Sequence, residues 1–123
     1  MFKVTPAQVR AAYELIRRLP PFCEWDLPPA NNGVTFGVNN ARKEYGRYTH
    51  LGRGVGHPGF HRIDISRHNV KTLHALTLTM AHEVLHLRQQ LTRTHNRAQH
   101  NAEFLRLARR VCLSLGLDSK GFT

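Results

Sequence analysis

The longest regular pattern of apolar and polar positions runs from Asn69 to Leu91 and predicts a single helix. At roughly 100° per residue, one set of apolar side chains falls on a narrow stripe that we expect to face the core: Leu73, Leu76, Met80, Val84, Leu87 and Leu91. The opposite face is also mostly apolar, and Glu83 carries its only charge. We therefore expect a helix that is buried on both faces.

An earlier helix is indicated near the N-terminus. Thr5 precedes Pro6 and Gln8 in the arrangement typical of a capping box with proline at the first helical position. Apolar residues then recur at helical spacing and predict its inner face: Val9, Ala12, Tyr13, Ile16 and Leu19. Two prolines at positions 20 and 21 end this helix, and Trp25, in the irregular stretch beyond it, is expected to cover the core.

Three short segments between the two helices have the composition and alternation of β-strands: Val34–Val38, Tyr45–His50 and His61–Ser66. We expect them to form a three-stranded antiparallel sheet. The strand directly before the long helix is expected to run along a cleft, where an extended peptide can pair with its free edge. The glycine-rich, basic segment Gly52–Gly59 is expected to be a mobile loop at the rim of that cleft.

A second amphipathic pattern near the C-terminus predicts the last helix, which Gly116 ends. Its apolar stripe consists of Phe104, Ala108, Val111, Cys112 and Leu115. These elements place the chain in the α+β class, as one domain over residues 1–123, because this length suffices for one core but not for two.

The long helix contains the motif His82-Glu83-Val84-Leu85-His86. Residues four apart lie on the same face of a helix, so both imidazoles can bind one metal ion. Glu83 then lies beside the ion, where its carboxylate can take a proton from a water molecule. The alternative, two ordinary helix histidines, leaves a buried carboxylate unexplained, and an unpaired buried charge is strongly disfavoured.

A catalytic zinc ion needs a third protein ligand and an open position. Three candidates follow the long helix, namely His95, His100 and Glu103. His95 lies in a polar stretch and is expected to be an exposed loop residue. His100 lies one turn before Phe104, the first residue of the apolar stripe, so we expect it to face inward.

The HExxH motif followed by His100-Asn101-Ala102-Glu103-Phe104 resembles the zinc-dependent domain of SprT-like proteins, the group that includes the DNA-dependent protease Spartan. The resemblance covers about residues 63 to 117 and implies a compact zincin-like domain. It implies three zinc ligands and one catalytic base, with Glu83 as the base and His82, His86 and His100 as the ligands. It also favours His100 over Glu103 as the third ligand.

Two features depart from the SprT-like pattern. Gln99 stands where a glycine is usual before the third histidine, which alters the turn but leaves the ligand in place. Many bacterial members end in a four-cysteine zinc ribbon, whereas this chain has only Cys23 and Cys112. We therefore expect this second zinc module to be missing. Two cysteines so far apart in sequence favour the cytoplasm over an oxidising compartment.

The charge balance is the other informative feature. Eighteen Lys and Arg against eight Asp and Glu give a net charge of +10, and most of the basic residues are Arg. Arg binds phosphate oxygens through a two-pronged fork, so we expect DNA as a partner. Tyr45 and Tyr48, near basic residues, are candidates for base stacking. The clusters include Arg106, Arg109 and Arg110; the alternative is that this charge only keeps the protein soluble.

The leading functional hypothesis is a zinc-dependent endopeptidase acting on a protein or peptide substrate. A donor for the developing oxyanion is expected, and the sequence does not choose among His57, His95, Tyr45 and Tyr48. The alternative is a basic nucleic-acid-binding or partner-inhibiting protein with a structural zinc site, which would need four protein ligands. We expect a monomer, no membrane association, and a size and charge that suit a phage protein.

Overall fold

The computed structural model of the protein describes residues 2–30, 32–51 and 59–122. In chain order the elements are α1 (Pro6–Arg17), a 3-10 helix (Phe22–Glu24), β1 (Gly33–Asn39), β2 (Gly46–His50), β3 (Gly59–Ser66), α2 (Leu73–Thr92), α3 (Ala102–Leu115) and α4 (Ser119–Phe122). Helices pack on a small sheet, so the expected α+β class is confirmed. Residues 52–58, the larger part of the predicted basic loop, lie outside the described residues.

The sheet is mixed, and the prediction of a purely antiparallel sheet is wrong. The strand order is β1-β3-β2, with β1 parallel and β2 antiparallel to β3. The two earlier strands do not form a hairpin, because their connection crosses the end of β3 and is held there by side chains. Ser66 Oγ donates to the carbonyl of Ala41 at 2.6 Å, and Asn69 Nδ2 donates to that of Glu44 at 2.8 Å.

This strand order makes β1 and β2 the two edge strands of the sheet, and β2 is the one beside the histidines. The expectation that the strand preceding the long helix has an open edge is also wrong, because β3 is the central strand. Hydrogen bonds from Leu51 N to Phe60 O and from Ser66 N to Tyr45 O mark the residues of the β2 segment that bond to β3. In an antiparallel ladder alternate residues face the partner, so the backbone groups of residues 46, 48 and 50 point outward.

One face of the sheet is covered by α1 and α2. Ile63 and Ile65 of β3 are fully buried there, and the ring of Tyr13 in α1 packs against Phe36 of β1 with 5.1 Å between centroids. The predicted capping box at Thr5 is confirmed. Trp25 is buried as expected, and Arg88 of α2 lies over its ring and donates to its carbonyl.

The long helix is shorter than predicted and is less buried at its ends. It begins at Leu73, because Thr72 caps it by accepting a hydrogen bond from Ala75 N, while Asn69 is engaged with the strand connection. Four residues of the predicted stripe are fully buried, namely Leu76, Met80, Val84 and Leu87. Leu73 is 66% exposed and Leu91 41%, since the first and last turns extend beyond the layers that cover the middle.

The two C-terminal helices, α3 and α4, pack against α2. Asn101 caps α3 by accepting from Phe104 N, and Gly116 ends it at a φ of 69°, as expected for a glycine C-cap. Most of the predicted stripe of α3 is buried, and Phe122 of α4 is buried as well. None of the helices in the described part of the chain is long and apolar enough to cross a membrane.

Candidate metal centre

Three histidines meet at one point on the surface of α2. His82 and His86 come from the helix and His100 from the residue before the cap of α3, and their ligand atoms all lie within 4.8 Å of one another. The other candidate, Glu103, is outside this cluster. Its two carboxylate oxygens accept hydrogen bonds from Arg106 at 2.9 and 2.6 Å. The three histidines, and not Glu103, therefore form a group that could hold a metal ion.

The two helix histidines, His82 and His86, are in the chemical state that can bind a metal ion. His82 Nδ1 is 2.9 Å from the carbonyl oxygen of Phe122, which can only accept, so Nδ1 carries the proton and Nε2 keeps its lone pair. Burial lowers the pKa of His82, and burial together with the other two histidines lowers the pKa of His86 to about 4. Both rings are thus neutral at pH 7, and the cluster fits a metal ion.

His100 differs from the prediction in its exposure. We expected it to face inward, but the residue is exposed, because Asn101 is the cap and the helical periodicity of α3 does not extend to position 100. Its ring nevertheless stacks on the buried ring of Phe104, with 4.3 Å between centroids. The same Phe104 ring contacts His82 and His86, with centroids 5.0 and 4.7 Å away. The Phe104 ring is therefore the apolar surface against which all three histidine rings pack.

Glu83 lies next to the cluster and faces the edge strand. It is 5% exposed, and burial raises the pKa of its carboxyl to about 8, although the backbone N–H of Tyr48 donates to it and acts in the opposite direction. Gly46 makes this close approach possible. A Cβ there would lie 2.8 Å from Thr79 Cγ2 and 3.0 Å from Glu83 Cγ.

An open cleft of about 1040 Å³ lies over Glu83 and the three histidines. One wall is formed by residues 43–50, and the other by His95 and its neighbours. Of the predicted oxyanion donors, Tyr45 and His95 are exposed residues of this cleft, whereas the Tyr48 hydroxyl is bonded to His61 Nδ1 at 2.6 Å. His57 lies outside the described residues.

Sequence reasoning missed three residues that shape the site. Phe122 contributes a backbone carbonyl, for which the sequence holds no signal. Gly46 falls within the predicted strand Tyr45–His50, and no other role is predicted for it from the sequence. An isolated glycine in a strand can indicate that another group approaches the backbone closely. Gln89 is only 1% exposed, and an amide among the apolar residues of a buried helix was the available signal.

The fold and the site define an α+β domain in which three histidines that could hold a metal ion lie beside a buried glutamate. The model of the SprT-like family matches residues 12–120 of this chain, which therefore belongs to the SprT-like family. No match to the chain was found among curated proteins or among solved structures.

Proposed function

We propose that the protein is a zinc-dependent endopeptidase in which His82, His86 and His100 hold Zn²⁺ and Glu83 is the general base. The observation that carries this proposal is the meeting of the three histidines beside a buried carboxylate at the bottom of an open cleft. Membership of the SprT-like family supports a metallopeptidase of this kind.

The donor set favours zinc and catalysis. Imidazole nitrogens suit zinc among the common cellular metal ions, and three protein ligands leave a position open for substrate, whereas a structural site uses four. A bound zinc ion would polarise the substrate carbonyl and acidify a water molecule.

Glu83 supplies the proton chemistry. Its carboxylate takes the proton of the attacking water and later delivers it to the nitrogen of the leaving amine. Burial raises the pKa of this carboxyl to about 8 in the metal-free chain. A zinc ion bound beside it would favour the ionised form, which is the form that accepts a proton. The Tyr48 N–H bond to the carboxylate holds this side chain against the edge strand.

The free edge of β2 is the proposed binding surface for the substrate main chain. Gly46 and His50 have outward-pointing backbone groups and line the cleft, so an extended peptide can add to the sheet beside Glu83. Recognition through the backbone would make few demands on the side chains of the substrate, as suits an enzyme that cleaves unfolded protein segments.

The decisive experiment is Glu83→Gln, which keeps the size of the side chain and removes the base. Hydrolysis of an unfolded protein substrate should fall by roughly 100 to 10,000-fold, while zinc content stays at that of the unmodified protein. Equal hydrolysis by both proteins would refute the role of Glu83. If the unmodified protein itself binds zinc and nucleic acid but hydrolyses no substrate, the structural-zinc alternative is supported instead.

We also propose that DNA is bound along the rim of the cleft and brings DNA-associated proteins to the site. Lys43 lies on the β2 side of the cleft, and Arg93 and Arg97 lie in the exposed segment on the other side. Among the ion pairs of the described residues none involves these three side chains. Their charges are therefore free for phosphates, and the net charge of +10 supports a polyanionic partner.

The Arg cluster of α3 is a weaker candidate for DNA binding. Arg106 pairs with Glu103 and Arg110 with Glu24, so both have acidic partners on the protein. The two kinds of arginine give a matched test. Arg93→Gln with Arg97→Gln should reduce the slope of log affinity against log salt by about 0.7 to 0.9 per contact, and Arg106→Gln with Arg110→Gln by less. Salt-independent binding by the unmodified protein would refute the DNA proposal.

A further inference from the structure

The third histidine belongs to a part of the chain that the core does not hold. Every residue from Leu91 to His100 is exposed, and α2 ends at the left-handed cap Arg93. The His100 ring stacks on Phe104, and it also contacts the rings of His86 and His82, the two residues that it would join in holding a metal ion. A ring on an exposed segment can slide along such a surface, so stacking alone does not set its distance from His86.

A hydrogen-bonded network supplies the missing constraint. Gln89 Nε2 donates to Asn101 Oδ1 at 2.8 Å and reaches the carbonyl of Thr94 at 3.5 Å. Asn101 Nδ2 donates to the same Thr94 carbonyl at 3.0 Å, and its Oδ1 also accepts from Phe104 N at 2.9 Å. One amide from α2 thus joins the loop that follows the helix to the cap of α3.

The position of Gln89 connects this network to the metal ligands. It lies three residues after His86 on the same rigid helix, and its partner Asn101 is the neighbour of His100 in the chain. We propose that Gln89 is a positioning residue that sets the distance of His100 from the two helix histidines. This inference rests on the metal site proposed above but not on peptidase activity.

Packing alone does not account for Gln89. It is 1% exposed, and a buried amide loses its hydration, whereas leucine would fill a similar volume without that loss. The hydrogen bonds to Asn101 and Thr94 offset this cost. A glutamine that only filled space would be replaceable by leucine without effect on the position of His100.

The test compares Gln89→Leu with a control, Thr77→Val, which also removes a side-chain hydrogen bond of α2, the one to the Leu73 carbonyl. Zinc affinity is measured by competition with a chromophoric chelator, and the ligand set by the visible absorption of the Co²⁺-substituted protein. Gln89→Leu should weaken zinc binding by roughly 10 to 100-fold, as the loss of groups that orient ligands does, and should reduce the Co²⁺ absorption. Thr77→Val should change neither.

A double-mutant cycle distinguishes positioning from general destabilisation. If Gln89 acts through His100, Gln89→Leu has no further effect on zinc affinity in a His100→Ala background. Additive losses, or losses that match the fraction of unfolded metal-free protein in urea titrations, would overturn the inference. Equal zinc affinity of Gln89→Leu and the unmodified protein would also overturn it and leave the proposed function intact. Absence of zinc binding by the unmodified protein would instead refute the proposed metal site itself.

Discussion

The two halves of the proposed metal centre are built in different ways. His82 and His86 are one turn apart on a 20-residue helix whose neighbouring residues are fully buried, so core packing sets their spacing. His100 lies on an exposed segment that polar side chains hold in place. We call His82 and His86, with Glu83 between them, the helix half of the site, and His100 the loop half. The helix half should form when the protein folds, whereas the loop half can be changed without affecting the core.

The largest effects are expected when one proposed ligand is removed from each half of the site. His86→Ala and His100→Ala should each lower zinc affinity by more than about 100-fold, the upper end for losing a group that only orients a ligand. The metal-free variants should differ in stability, because His86 is partly buried and packs against Phe104, whereas His100 is exposed. Urea unfolding in the presence of a chelator should show lower stability for His86→Ala alone. Full zinc retention by His100→Ala would contradict the ligand assignment.

A pH titration tests the helix half alone. The pKa of Glu83 is raised by burial to about 8 from an ordinary 4.5. Between these values the folded metal-free chain holds a proton that the unfolded chain has released, so stability falls as pH rises. Glu83→Gln removes this loss. At about 1.4 kcal/mol per pKa unit, the variant should be more stable by a few kcal/mol at pH 8 and equal to the unmodified protein below pH 4.

The control in that titration is internal to the protein. His82 and His86 have lowered pKa values, so their own contribution increases as pH rises from acid toward the ordinary histidine pKa. Both residues are present in the two proteins, and their effect cancels in the difference. A difference that does not vary with pH would show that Glu83 is not buried as a neutral acid.

Gly46→Ala tests how closely the edge strand must approach the helix half. The added Cβ would lie 2.8 Å from Thr79 Cγ2 and 3.0 Å from Glu83 Cγ, so β2 or α2 must shift. Overpacking of this kind costs roughly 1 to 3 kcal/mol, and peptide hydrolysis should fall while zinc affinity stays unchanged. Gly116→Ala is the matched control, because its φ of 69° brings strain but a Cβ there meets no atom within 4 Å. Lower zinc affinity in Gly46→Ala would mean that the strand supports the ligands as well as the base.

The smallest effect is expected for Glu103→Ala. Its carboxylate is bonded to Arg106 and not to the histidine cluster. An exposed ion pair of this kind contributes about 0 to 1 kcal/mol, so stability and zinc affinity should remain close to those of the unmodified protein. Loss of zinc in this variant would move the loop half of the site from His100 to Glu103.

The contrast between the halves also explains what the sequence could and could not predict. His82, Glu83 and His86 are recognisable because a helix places residues four apart together regardless of the rest of the fold. The caps at Thr5 and Gly116 are local in the same sense. These features depend on a few adjacent residues, and the structure contains them where they were expected.

The features that escaped prediction depend on distant parts of the chain. The order of the strands is set by Ser66 and Asn69, which bond to carbonyls more than 20 residues earlier. The proton position on His82 is set by a carbonyl 40 residues later. A pattern of residue types does not show which backbone carbonyl will lie near a given side chain. These contacts can therefore be identified only from the folded structure.

If zinc binds as proposed, the hydrogen bond between His82 and the Phe122 carbonyl would couple the C-terminal turn to metal binding. Because the carbonyl orients the ligand, a docked α4 favours zinc binding, and by thermodynamic reciprocity bound zinc must favour the docked α4 by the same factor. The backbone amides of residues 119–122 should then exchange with solvent more slowly when zinc is bound. A turn of four residues thereby couples the end of the described chain to the centre of the cleft.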